Sequence, residues 1–252
     1  MSDRARELHR EGDAHYQAGR YAAALQSWRA AAARDPRSVP LRFNIGNALR
    51  YLRRRREAVA AYDEALALAP NFGMAHHNKA TCLLQLGDYA AGFREYEWRK
   101  ACPGFADDPR YKLPRPWRGE DLRGKTLYIY PELYQGDLLQ FGRYALAAEQ
   151  AGARVILGAP RHMHALLQTM SPTLALVADD AAPPDYDVQA ALLTLPALFG
   201  TTLPTVPAWP AYLRAEPARV EKWRRRIGDH GFKIGIAWQG SALAVQRSFP
   251  LA

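Results

Sequence analysis

Pro36 and Pro70 stand 34 residues apart, and the chain before each of them runs through the same residue types. Gly12 recurs as Gly46, Ala24 as Ala58, Trp28 as Tyr62 and Ala31 as Ala65. A third copy puts Ala80, Leu84, Gly87, Tyr89 and Tyr96 in the same slots. A fixed period of this length means one supersecondary unit stacked on copies of itself. The small residues Gly12, Gly46, Ala80, Ala24 and Ala58 let the two helices of a hairpin approach closely, and Trp28, Tyr62 and Tyr96 are large enough to fill the gap between neighbouring hairpins. Pro36 and Pro70 cannot continue a helix, so each ends the second helix of its repeat. Gly19 and Gly87 mark the turns within the first and third hairpins, and Arg53 stands where the second should have glycine.

The pattern resembles the tetratricopeptide repeat over about residues 5–104. The resemblance implies a solenoid whose inner face takes a peptide or a partner protein. Asn44, Asn47 and Asn78 fall near positions where such repeats hydrogen-bond a peptide backbone, which makes them the candidate peptide-binding residues. A second role stays open. Three repeats are close to the minimum for a stable stack, so the array could equally brace the domain that follows or form a homodimer interface.

Beyond the repeats the punctuation changes. Pro103, Pro109, Pro114 and Pro116 crowd a short connection, which predicts an extended, stiff segment crossing a surface. From Gly124 onward short β-rich runs alternate with helical patterns. Thr126–Tyr130, Arg154–Leu157, Leu174–Val177 and Val188–Leu192 read as strands, with helices from Asp137 to near Gly152 and from Met163 to Met170. That alternation predicts a parallel sheet with crossover helices, whose ligands bind at the carboxyl ends of the strands. The loop Glu132 to Asp137 lies there. Asp137, at the predicted helix start, is either an N-cap or an ionised carboxylate able to accept a proton from a hydroxyl.

Composition narrows the classes. Of 252 residues 48% are apolar and 23% charged, as in ordinary globular proteins. No apolar run reaches the ~18 residues of a membrane span, and the charged start carries no apolar leader; a cytoplasmic location is the expectation. Cys82 and Cys102 form no metal-binding spacing, so free thiols, no metal and no cofactor are expected. The net charge of +9 concentrates in Arg53–Arg56 and Arg224–Arg226. No nucleic-acid recognition motif accompanies either run, which points away from nucleic acid.

Several phrases then read together: Gly92-Phe-Arg-Glu-Tyr-Glu-Trp-Arg99, Trp117-Arg-Gly-Glu120, Gly124-Lys-Thr-Leu127, Glu132 with Gly136-Asp137, Gln140-Phe141-Gly-Arg143-Tyr144, Gly152-Ala-Arg-Val155, Leu193-Thr-Leu-Pro196 and Ile234-Gly-Ile-Ala-Trp-Gln-Gly240. Their order resembles bacterial proteins that fuse tetratricopeptide repeats to a glycosyltransferase-like domain, similar to heptosyltransferases and, more distantly, to O-linked N-acetylglucosamine transferases. The fold so implied is an α-helical tetratricopeptide solenoid followed by an α/β Rossmann-like half domain, the N-terminal half of a B-type glycosyltransferase fold. Boundaries follow at 1–104 for the repeats, 105–124 for a proline-rich linker, 125–230 for the Rossmann-like half and 231–252 for the start of an incomplete second half. The resemblance makes Asp137 the general base, places Glu132, Gly136, Gln140 and Arg143 at the acceptor loop, and makes Gln239, Gly240 and Ser241 a donor-phosphate loop. It implies a nucleotide-sugar donor as substrate. Leu133 and Tyr134 depart from the family loop, which has glycine where tyrosine now stands.

Two functions therefore stay in view. One is sugar transfer to a hydroxyl, with negligible turnover expected from this chain alone because the donor half is missing and the last residues resemble the middle of the family sequence. The other is a non-catalytic scaffold that recruits a protein through its repeats.

Overall fold

The computed structural model describes residues 2–233 except 133, 184, 210 and 229. Residues 1–214 form one compact unit and residues 215–252 a second.

The first unit opens with three helical hairpins: α1 (Asp3–Gln17) with α2 (Tyr21–Ala32), α3 (Val39–Tyr51) with α4 (Arg55–Leu68), and α5 (Gly73–Gln85) with α6 (Tyr89–Tyr96). The small residues do what the period requires, with one correction to the aromatics. Trp28 and Tyr62 lie across their own hairpins rather than between hairpins. A Cβ on Gly12 would stand 2.4 Å from the Trp28 ring, and one on Gly46 would stand 2.5 Å from Tyr62. Both rings are buried, in a core with Leu25, Leu41, Ile45 and Leu49. In the third hairpin α6 is only eight residues long and passes into a 3-10 turn at Glu97–Ala101. Tyr96, the third aromatic, also lies across its own hairpin, against His77 of α5, and its ring faces the Arg99 guanidinium.

The turns show why glycine recurs. Gly19 and Gly87 have φ of 72° and 86°, the left-handed region, and Arg53 adopts φ of 60° in the same slot. Arg54 N donates to Leu49 O at 2.9 Å and closes that turn despite the side chain.

Four parallel strands follow, β1 (Thr126–Tyr130), β2 (Arg154–Ala159), β3 (Ala175–Ala178) and β4 (Val188–Ala191), in the order β3-β2-β1-β4. Leu127 pairs with Val155 and Val188, so β1 is central and buried. Leu127 and Ile129 point to one face, packed with Leu138, Tyr144, Ala145, Ala148, Leu157 and Leu167. Those residues come from β2 and from three helices, α7 (Gln135–Phe141), α8 (Arg143–Gln150) and α9 (His164–Leu167). Tyr128 and Tyr130 point to the other face, with Tyr186, Tyr111 and Leu113. Among the described residues no helix lies between β3 and β4, and that face is covered by the proline-rich segment and by Tyr186 from the β3–β4 connection. The short helix α10 (Leu195–Leu198) follows β4.

The proline-rich stretch is thus not a bare linker. Trp117 and Leu122 belong to the sheet's core. Trp117 N donates to Gln189 O at 2.7 Å, Gln189 N to Arg115 O at 3.0 Å, and Pro116 bridges Gln189 in parallel. Proline lacks a donor, but at an edge it needs none, and the segment closes the open side of β4 against further pairing.

The second unit contains α11 (Pro217–Ile227), none of whose residues is buried. Glu221 accepts from Arg224 and Arg225, each at 3.0 Å. No described helix is long and apolar enough to cross a membrane. Both cysteines are buried and free. Beyond residue 233 the start of the expected second half, with its loop Gln239, Gly240 and Ser241, lies outside the described residues.

Candidate functional site

The 34-residue period places equivalent residues of α1, α3 and α5 beside one another, and hydrogen bonds join them across hairpins. Asn78 Nδ2 donates to Asn47 Oδ1 at 2.9 Å, and Tyr62 Oη donates to the same oxygen at 2.8 Å. Asn44 Nδ2 lies 3.1 Å from His9 Nε2. One hairpin earlier, Trp28 Nε1 donates to Asp13 Oδ1 at 3.1 Å, in the slot that Asn47 fills next. In the first two hairpins the aromatic of the second helix thus orients the polar residue of the first. Among the described residues nothing bonds Asn47 Nδ2 or Asn78 Oδ1, so the ladder ends in one open donor and one open acceptor. Burial pushes the Tyr62 hydroxyl well above the usual phenol range, which keeps it a donor.

Two further residues of this face escaped the sequence reading. Arg50 continues the i, i+3 row of Asn44 and Asn47 along α3. His77 fills the slot of His9 and Phe43. Arg50 Nε and His77 Nδ1 are buried and make no hydrogen bond. The His77 ring stands 5.2 Å from Tyr96 and 6.1 Å from Phe105, between centroids. Burial lowers its pKa, and the charges of Arg99 and Arg50 lower it further. The signal for both was the period itself, read one helical turn further.

The loop after β1 differs from its prediction. Helix α7 begins at Gln135, with Tyr134 as its N-cap at φ −128°. The extended backbone at Tyr134 needs no glycine, and Asp137 sits in the first turn rather than at the cap. A carboxylate there still faces the positive end of the helix dipole. A Cβ on Gly136 would meet nothing within 4 Å. Leu133 lies outside the described residues.

Glu132 does not line an open loop. Its side chain is 1% exposed and pairs with Arg99, which is fully buried. Tyr111 Oη and Leu193 N also donate to its carboxylate. Arg143 is equally occupied: Nε donates to Gln140 O at 2.8 Å, Nη1 to Pro207 O at 2.9 Å and Nη2 to Tyr212 Oη at 3.3 Å. The predicted single helix bends at Gly142, where a Cβ would lie 2.4 Å from Leu138 O. Gln140 and Arg143 instead help line a cavity of about 290 Å³ with Leu84, Tyr89, Phe93 and Tyr144, where the third hairpin meets α7 and α8. The charges of the loop reach the repeats at Tyr96. Burial raises its phenol's pKa, with Asp137 and Glu132 adding to the effect and Arg99 opposing it.

The repeats have a known counterpart. Residues 9–50 and 43–104 match the tetratricopeptide repeat family, so this part of the chain is a tetratricopeptide array. Protein FlbA of Caulobacter vibrioides is 27% identical over 305 residues, covering 96% of this chain and 49% of FlbA. The inactive TPR repeat-containing thioredoxin TTL3 of Arabidopsis thaliana is 32% identical over 121 residues, covering 46% of this chain and 18% of TTL3. The chain therefore spans about half the length of the first of these relatives and under a fifth of the second. Among solved structures, the TPR2B domain of yeast Sti1 in its pHsp70 complex is 24% identical over 44% of this chain and 90% of that one, with a TM-score of 0.40.

Proposed function

We propose that this protein is a non-catalytic interaction scaffold whose repeats hold an extended segment of a partner protein along α1, α3 and α5. The observation that carries the reading is the ladder of Asn44, Asn47 and Asn78. Asn47 Nδ2 matches a peptide carbonyl and Asn78 Oδ1 a peptide N–H, and an extended chain offers both. Tyr62 and the cross-hairpin bonds hold the two amides in place before any ligand arrives, which lowers the ordering cost of binding. Residues 105–214 are then a body fixed to the last repeat. Peptides selected from a display library on the purified chain test this directly. Their affinity should fall at least about tenfold in Asn47→Ala while the melting curve stays cooperative. Selected peptides that are indifferent to Asn44, Asn47 and Asn78, or that crosslink only outside the repeats, would sink it.

A second reading, sugar transfer, is favoured by one observation: Asp137 opens the helix that follows the central strand of a parallel sheet, within electrostatic reach of Tyr96 at the last repeat. In that reading the groove presents a hydroxyl acceptor and Asp137 is the base, with a nucleotide sugar as donor. Transfer of labelled sugar by the purified chain, abolished by Asp137→Asn, decides for it. An unchanged rate in that variant decides against it.

A further inference from the structure

We propose that the cavity between the third hairpin and helices α7 and α8 binds a flat aromatic compound carrying a single carboxylate. The site shares no residue with the asparagine ladder and does not depend on the groove reading. Two local spacings build it. Tyr89 and Phe93 stand four residues apart on α6, so their rings share one side of that helix. They meet edge to face, 5.6 Å between centroids. Phe141 and Tyr144 flank the bend at Gly142, and their rings stack at 6.3 Å. The two pairs line one space of about 290 Å³, which Leu84 and Val206 help to enclose.

Size sets the body of the guest. An apolar cavity of about 150 Å³ holds one benzene ring, so nearly twice that volume suits two fused rings. Aromatic walls favour a flat ring system, which can stack or meet them edge-on, over a saturated chain. Charge sets the head. Arg143 is the one charged residue in the described lining; a guanidinium is permanently ionised and can only donate. Its bonds go to neutral oxygens, those of Gln140 O, Pro207 O and Tyr212 Oη. No carboxylate among the described residues pairs with it. Each terminal nitrogen keeps one N–H beyond those bonds, enough for the two oxygens of a carboxylate. Among the described residues the Gln140 amide and Tyr89 Oη make no hydrogen bond, so each has a donor to add. A monoanion matches the single cation. A phosphate dianion brings a second charge that nothing in the lining meets, and burying an unmatched charge is costly.

The test titrates the isotopically labelled full chain with naphthoate, naphthamide, benzoate and decanoate. Naphthoate should shift the Phe93 and Phe141 ring signals and the Arg143 Nε–Hε signal saturably. It should bind at least about tenfold more tightly than naphthamide, which keeps the rings and loses the charge. Benzoate keeps the charge and loses a ring, and decanoate keeps the charge without the flat body; both should bind more weakly than naphthoate. Arg143→Gln should bring naphthoate level with naphthamide. Because Arg143 also ties Pro207 and Tyr212, a second variant guards against misfolding. Gln140→Trp fills the cavity from an exposed position whose side chain has no bond to lose. It should abolish the shifts while the melting curve stays cooperative. Arg34→Gln, an exposed arginine bonded to Ala30 O, should leave binding intact. The proposal is overturned if naphthoate shifts none of the three signals, if naphthamide binds as tightly or decanoate more tightly, or if Gln140→Trp binds naphthoate unchanged. A loss in Arg34→Gln equal to that in Arg143→Gln would overturn it too.

Discussion

Arg99 and Glu132 meet edge to edge: Nε to Oε1 at 2.8 Å and Nη2 to Oε2 at 2.9 Å, with both side chains buried. Arg99 closes the turn after α6 and Glu132 follows β1, so one bidentate pair ties the repeat array to the sheet. Thr194 Oγ1, Glu97 and the Tyr96 carbonyl take the guanidinium's other bonds. Burial works against the charge of Arg99, but the two carboxylates outweigh it and hold its pKa above the usual arginine value.

Removing Arg99 leaves the Glu132 carboxylate buried without a cation, and removing Glu132 leaves the buried guanidinium with Glu97 as its remaining carboxylate partner. Arg99→Met or Glu132→Gln should therefore each cost about 3–5 kcal/mol, read as a lower urea midpoint. The double variant Arg99→Met with Glu132→Leu should recover part of that loss, because Glu97 keeps Lys100 as its partner, while Tyr111 Oη and Leu193 N lose their acceptor. A double variant as unstable as the sum of the singles would show that packing, not charge, is what the pair supplies.

Arg53 makes the second prediction. Its φ of 60° is a conformation that glycine reaches freely and arginine does not. Arg53→Gly should stabilise the chain by about 1 kcal/mol. Gly19→Ala and Gly87→Ala, at equivalent turns, should cost a similar amount. Thermal unfolding of the three variants checks the sign of each.

These turns show what the sequence could reveal. Gly12 faces Trp28 and Gly46 faces Tyr62 at fixed spacing, and Arg53 was identifiable as an irregular turn because Gly19 and Gly87 frame its slot. The strands were legible for the same reason, since β-rich runs alternate with helices at regular distance. The loop was not. Glu132 looked like a site residue because its partner, Arg99, lies 33 residues earlier and nothing local announces the pair. Asp137 looked like a cap because a helix start is set by backbone dihedrals that reach back to Tyr134. Arg143 looked free because Pro207 and Tyr212 are distant in the chain. Arg50 and His77 were overlooked because an orphaned donor is a statement about what fails to surround it.

The close approach of Gly46 to Tyr62 gives the third prediction. A methyl group there already meets the ring at 2.5 Å, and the ring is held by its bond to Asn47. Gly46→Val should displace Tyr62 and cost about 1–3 kcal/mol. Because Tyr62 also orients the Asn47–Asn78 rung, the variant should lose groove peptides as well. Tyr62→Phe separates the effects: the ring stays, the bond to Asn47 goes, and peptide affinity should fall with little change in unfolding midpoint.

His77 carries the last prediction, and its sign can be worked out. The imidazole is buried, and the charges that act on it are Arg99, from the turn after α6, and Arg50, from α3; Tyr96 lies beside it on α6. All this lowers its pKa in the folded chain below the ordinary histidine value. Between the lowered pKa and the unfolded value of about 6.5, the unfolded chain binds the extra proton, so stability rises with pH across that window. It is complete above the unfolded value and is lost as pH falls toward the folded one. His77→Phe removes that proton and the orphaned nitrogen together. The variant should be more stable than the parent at neutral pH, by about 1 kcal/mol for the desolvated group alone. Its urea midpoint should also vary less between about pH 7 and pH 5. The carboxylates of Glu95 and Glu97 are held below their ordinary range, so their contribution is lost at lower pH and does not blur the comparison. An identical pH slope in parent and variant would mean that His77 titrates as an exposed histidine does, and that its nitrogen has a partner after all.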